Sequence, residues 1–159
     1  RKFKKENKKL NTYIMKILIA HRGNTNGKQP ERENTVAYIE EALAKGYHCE
    51  IDICKFDGEK FYLGHDEPQE AVSIKWLRDQ QLWCHAKSYN ALEGMVAYGI
   101  HCFFHHNDKY TITSQGWIWA FPGQPVGAYT IAVHPEQLTA EQLEKCSGVC
   151  SDYVSNFEK

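Results

Sequence analysis

The chain has 159 residues, enough for one domain with a substantial core, and its 42% hydrophobic content fits a globular protein. No run approaches the roughly 18 apolar residues of a membrane span, which excludes a transmembrane segment. The formal net charge of -1 hides an asymmetry: residues 1–16 hold seven of the 19 Lys and Arg but one of the 20 Asp and Glu. The remainder is acidic, which excludes a general nucleic-acid footprint.

Residues 1–14 read as a basic tail or extension, outside the fold, and residues 15–159 as a single domain. Met15 opens the first strand and offers a natural start. Ile17 to Ala20 is a continuous apolar run that fits a strand buried on both faces, and His21-Arg22-Gly23 stands at its C-terminal lip. Asn34 and Thr35 offer N-caps to a helix with Val36, Ile39 and Leu43 at helical spacing, which Gly46 stops. On the second strand Glu50 and Asp52 are two apart and share a face, with Cys49, Ile51 and Ile53 on the other. Asp57-Gly58 predicts a turn, and Phe61 to Leu63 leads back to Gly64-His65-Asp66.

Farther along, Ser73 offers a cap to a short helix through Ile74, Trp76 and Leu77, and residues 81–88 read as a third strand. Its alternation sets Trp83, His85 and Lys87 on one face and Cys84 and Ala86 on the other. A helix over Tyr89 to Tyr98 and a strand over Ile100 to Phe104 follow. Gly116 to Phe121 and Tyr129 to His134 are strand candidates, with no helical period between Asp108 and His134. Leu138 to Cys146, capped by Thr139, is the last helix, and Gly148 to Tyr153 the last strand. Strands alternating with helices imply parallel pairing and an α/β fold. Cys49, Cys84 and Cys102 lie in strand-like runs as small core hydrophobes, and Cys146 and Cys150 have no second pair to complete a zinc site. Reduced thiols in a cytoplasmic setting are therefore expected.

The order HRG, ENT opening a helix, E-x-D on a strand, a DG turn and HD resembles the glycerophosphodiester phosphodiesterases. The resemblance extends more loosely to TITSQGWIWAFPG and GVCSDYV. It implies a TIM-type (β/α) barrel, here reduced, because such barrels usually need about 200–250 residues; some crossover helices must be shortened, above all after the fourth strand. It implies metal-dependent hydrolysis of a small-molecule phosphodiester to glycerol phosphate and an alcohol. His21 and His65 correspond to the two catalytic histidines, and Asp66 could orient His65 as the acid. Arg22, Lys87, Glu33 and Trp119 are expected at the substrate, with Glu33 positioning Arg22 or adding to metal affinity and Trp119 standing where the family has a pocket aromatic.

The chemistry needs these residue types. Two carboxylates on one strand face suit a hard divalent cation, a guanidinium suits phosphate oxygens, and two imidazoles divide the proton work. Burying Glu50 and Asp52 side by side without a compensating cation is costly. In one place the chain departs from the family. The third strand there carries a glutamate two residues before its lysine; Lys87 is kept, and His85 holds the glutamate's place. Exchanging an anion for imidazole weakens hold on Mg²⁺ or Ca²⁺ and moves preference toward Mn²⁺ or Zn²⁺. His85 as a direct ligand, a ligand through water, or a third proton carrier are the alternatives. His105 and His106 close the fourth strand and could face the site, though surface residues are the favoured reading, and His134 lies on the presumed rim with no role. The expected metal set is Glu50, Asp52 and His85. A catalytically inactive barrel that binds phosphorylated ligands is the alternative function, and a homodimer is expected of a barrel this small. The related phospholipase D toxins, secreted and disulfide-bearing, are a poorer match.

Overall fold

The computed structural model describes residues 16–158. The expected tail, 1–14, and Met15 lie outside the described residues. Strand β1 (Ile17–His21) is followed by helix α1 (Val36–Ala44), whose N-cap is Thr35: its hydroxyl accepts from the Tyr38 amide. Strand β2 (His48–Phe56) and strands β3 (Phe61–Leu63) and β4 (Glu70–Val72) form an antiparallel branch. Helix α2 (Ile74–Leu77), capped by Ser73, leads into β5 (Leu82–Ala86), helix α3 (Tyr89–Ala97) and β6 (Cys102–Phe104). Strands β7 (Tyr110–Ile112), β8 (Ile118–Ala120) and β9 (Thr130–Val133) follow with no intervening helix among the described residues. A 3₁₀ turn at Pro135–Gln137, helix α4 (Ala140–Lys145) and β10 (Gly148–Ser151) complete the sheet.

All ten strands belong to one mixed sheet. Its parallel backbone runs β6, β5, β2, β1, β10, β9, β8, with β7 antiparallel at the end. No strand ladder joins β6 to β7. Single bonds connect them instead: the Ser114 amide donates to the Cys102 carbonyl at 2.8 Å, and the Thr111 hydroxyl to the Phe104 carbonyl at 3.0 Å. The observed architecture is thus mixed α/β about one ten-stranded sheet.

Alternation along each strand sorts the core into two sides. Cys49, Ile51, Ile53, Cys84, Ala86 and Cys102 face α1 and α3 in one large apolar cluster. On the other side Ile19, Trp83, Phe103, Trp119, Ile131 and Cys150 form a second, aromatic-rich cluster. One step further toward the strand C-termini on that second side come His21, Asp52, His85 and Asp152. Truncating a buried aromatic such as Phe103 to alanine typically costs about 3–5 kcal/mol, so this cluster is a stiff floor beneath the polar residues.

Two strands escaped the sequence reading. β4 is short and β7 pairs only at the sheet's end; neither has the length or apolar run that marks a strand. The last helix is shorter than expected, Ala140–Lys145, because Pro135 starts a separate 3₁₀ turn and Thr139 closes a capping box with Gln142.

Candidate active site

His21, Arg22 and Gly23 turn the chain sharply at the end of β1. Arg22 takes the left-handed conformation at φ 55°, held by its amide donating to the Glu50 carbonyl at 2.8 Å. Gly23, at φ 90°, must be glycine, since a Cβ there would stand 2.8 Å from the Tyr38 ring. Asn34 (φ 57°) and His134 (φ 43°) are the other non-glycine residues with positive φ among the described residues. All three belong to the same site. Strain of about 1–3 kcal/mol at such positions persists where surrounding structure over-determines it, and it clusters at functional sites.

Glu50 and Asp52 are buried on the inner side of β2, and the paired strand β5 places His85 opposite Asp52. His85 Nδ1 stands 3.6 Å from Glu50 Oε1 and 3.4 Å from Asp52 Oδ1. Its Nε2 donates to the His105 carbonyl at 2.9 Å, the hydrogen bond that commonly orients a metal-binding imidazole. Glu50 Oε2 and Asp52 Oδ1 are buried and make no hydrogen bond among the described residues. The three side chains offer ligand atoms within 4.8 Å of one another. Two orphaned anionic oxygens beside an oriented imidazole fit a divalent ion, and nitrogen in the set favours Mn²⁺ or Zn²⁺ over Mg²⁺ or Ca²⁺. Burial opposes the His85 cation, but Asp52 and Glu50 more than offset it and raise its pKa to about 9.

Asp52 Oδ2 is held from other directions. Asn34 Nδ2 donates to it at 2.9 Å, while Asn34 Oδ1 accepts from the Asp52 amide at 2.9 Å. Arg22 Nε lies 2.8 Å away, an ion pair lacking the alignment of a hydrogen bond. Burial works against this carboxylate's charge, yet His85, Arg22 and Asn34 hold its pKa below the usual range.

Beside this group, His21 Nδ1 pairs with Asp152 Oδ1 at 2.7 Å, and His21 Nε2 faces Glu50 Oε2 at 3.8 Å. Burial lowers the His21 pKa; the Asp152 hydrogen bond and the Glu50 charge outweigh it, and the net shift is upward. Asp152, opposed by burial but bonded to His21 and Asn24, is lowered to about 2. Asn24 is fully buried and joins two arms of the site. Its Nδ2 donates to Asp152 Oδ1 and to Glu33 Oε1, both at 2.8 Å, and Glu33 Oε2 in turn reaches Arg22 Nη1 at 3.4 Å. Glu33, expected either to position Arg22 or to add to metal affinity, thus lies against the Arg22 guanidinium.

A cavity of about 220 Å³ opens here. His21, Arg22, Glu50, His85 and Trp119 line it, together with His105 and His134. Trp119 packs on Phe103 at a ring separation of 4.6 Å and closes one wall. Lys87 lies one residue beyond β5, two on from His85, and does not line the cavity. Neither does His65. It follows β3 through Gly64, whose amide donates to the Asp52 carbonyl at 3.1 Å, but its side chain is 41% exposed and pairs with Asp66 at 2.8 Å. His105 and His134, read as surface or without a role, both face the cavity.

Asp152, Asn24 and Asn34 escaped the sequence reading. Asp152 had a visible signal: it directly follows the last strand, at the strand C-termini where polar residues collect. Asn34 looked like a helix cap, and only its left-handed backbone turns the side chain back to Asp52. No family model, curated protein or solved structure matches this chain.

Proposed function

We propose that this protein is a metal-dependent phosphodiesterase acting on glycerophosphodiesters, built on a reduced (β/α) barrel. The observation that carries the reading is the convergence, on one lip of the sheet, of Glu50, Asp52 and His85 with the His21–Asp152 pair and Arg22. Glu50, Asp52 and His85 would hold the divalent ion, which supplies a Lewis acid for the non-bridging phosphate oxygens. Arg22, fixed between Asp52 and Glu33, presents its remaining donors to the phosphate. Asp152 orients the His21 ring and leaves Nε2 toward the cavity to handle one proton. Trp119 forms an apolar wall for the alcohol portion. The family resemblance adds His65 as the second proton carrier and Lys87 as a further phosphate contact. The six free thiols support a reducing, cytoplasmic setting, and exposed Phe104 and Ile112 support a homodimer.

The test is hydrolysis of glycerophosphocholine and of an aryl phosphodiester after chelation and restoration of Mg²⁺, Ca²⁺, Mn²⁺ or Zn²⁺. Turnover restored by an ion, Mn²⁺ or Zn²⁺ above Mg²⁺, is expected. A folded protein that turns over neither diester with any ion would favour the second reading, a barrel that binds phosphorylated ligands without cutting. The position of His65 outside the cavity is the observation on its side.

A further inference from the structure

The cavity holds an imidazole that neither the metal group nor the family resemblance uses. His134 follows β9, lines the cavity with His21, and meets the His21 ring edge to face at 4.9 Å. Its position is fixed at a price in backbone strain: φ is 43°, and the amide donates to the Cys150 carbonyl at 2.8 Å. Pro135 follows directly, further limiting the backbone. A histidine kept in the left-handed region, with its ring directed into a cavity, is the kind of outlier from which a role is inferred.

The surroundings of the two rings differ. His21 has a carboxylate near each ring nitrogen, Asp152 and Glu50. His134 Nδ1 lies 4.0 Å from Asp152 Oδ2, beyond hydrogen-bonding reach, and its side chain is 35% exposed. The charged groups around it are His21, Asp152, Glu136 and Lys28. Burial, then the His21 cation, lower its pKa, while Asp152 and Glu136 act in the opposite sense.

We propose that His134 is the general base of the site. Resting on the phosphodiesterase reading, this assigns the second proton-handling role to His134 in place of His65. His134 takes the proton of the attacking water, or of a neighbouring substrate hydroxyl, as that oxygen bonds to phosphorus. The bond from phosphorus to the alcohol oxygen breaks with its electron pair on oxygen, which takes a proton from His21. His134 is then the imidazolium and His21 the neutral imidazole, and proton exchange with solvent returns both to their starting states.

The experiment compares the metal-loaded wild type with His134→Ala on glycerophosphocholine and on an aryl phosphodiester, with bound metal per chain and thermal midpoint measured alongside. Alanine carries the same positive φ, so backbone strain is retained. The expected result is a fall in kcat of at least about 10²-fold on both diesters with metal content unchanged. Free imidazole, entering the space left by a partly exposed ring, should restore part of it. Rates within about tenfold of wild type would overturn the assignment. So would loss confined to glycerophosphocholine, which marks an acid needed only for a poor leaving group. Loss of bound metal would make His134 a ligand and overturn it too. If the variant fails to fold, His134→Asn, suited to positive φ, takes its place with the same readouts. A wild type inactive on both diesters would remove the phosphodiesterase reading itself, and this assignment with it; an active wild type with an active variant would remove this assignment alone.

Discussion

His21 and Asp152 lie 131 residues apart and meet at 2.7 Å because β1 and β10 pair in parallel, with Ala20 opposite Ser151. The first and last strands of the domain are neighbours, so the residues just after that pair share one lip. Both face the cavity side, each two positions beyond a core residue, Ile19 and Cys150. Closing the chain's ends together assembles the imidazole–carboxylate pair.

Asp152→Asn keeps the shape of the side chain and removes the charge that orients and sustains the His21 imidazolium. A fall in kcat of about 10²-fold or more is expected, comparable to His21→Ala, together with a lower thermal midpoint at neutral pH, because the variant also loses the stabilisation that the Asp152 charge supplies. Steady-state rates on an aryl phosphodiester check it; a rate within threefold of wild type would remove Asp152 from the mechanism.

His85→Glu would place three carboxylates, with Glu50 and Asp52, in the proposed metal group. The ion giving highest turnover should move from Mn²⁺ or Zn²⁺ toward Mg²⁺ or Ca²⁺. The wild type should also bind metal more tightly as pH rises: the ion displaces a proton from His85, whose pKa is about 9, so affinity climbs about tenfold per pH unit below that value. Titration calorimetry in buffers of different ionisation heat reads the released proton directly. No proton release at neutral pH would place His85 outside the ligand set.

Stability of the metal-free protein should fall on both sides of a plateau. Asp152 is depressed from 3.8 to about 2, so its stabilisation is present above the unfolded value and is lost as pH falls through the folded one. His85 is raised from 6.5 to about 9, so its contribution is full below 6.5 and is lost as pH rises through 9. Thermal midpoints with chelator should peak near about pH 5 and decline toward both extremes. Adding the preferred ion should flatten the alkaline side, because the bound ion replaces the His85 proton. An alkaline slope unaffected by metal would count against this account.

Asn34→Ala removes both hydrogen bonds to Asp52 and leaves a buried amide and a carboxylate oxygen without that partner. A loss of about 2–4 kcal/mol is expected in urea unfolding. A change below about 1 kcal/mol would mean that water takes over both bonds.

Much of the local structure was legible because it depends on neighbours in sequence. Ser73 and Thr139 cap the helices they precede, and the two-residue spacing puts Glu50 and Asp52 together, opposite Ile51 and Ile53. The face of β5 that carries His85 followed from the same alternation, with Trp83 in the inner cluster and Cys84 in the outer. Asn34 was misjudged as a cap since its role depends on a backbone angle that short polar side chains tolerate but do not announce.

What the sequence by itself determined is therefore most of the inventory: the longer strands and the helices, short β4 and β7 apart, which face each residue points to, and that Glu50, Asp52, His85, His21 and Arg22 stand toward strand ends. Periodicity and caps are short-range physics, and they act within a few residues. Only the tertiary structure decided which strand ends are neighbours. Pairing β1 with β10 brings Asp152 to His21, and the path through β9 brings His134 to the same cavity. His65 is left exposed beside Asp66, although its sequence context is as suggestive as that of His21. Strand order is set by long-range burial and ladder pairing, and nothing within a few residues of His134 or His65 encodes it.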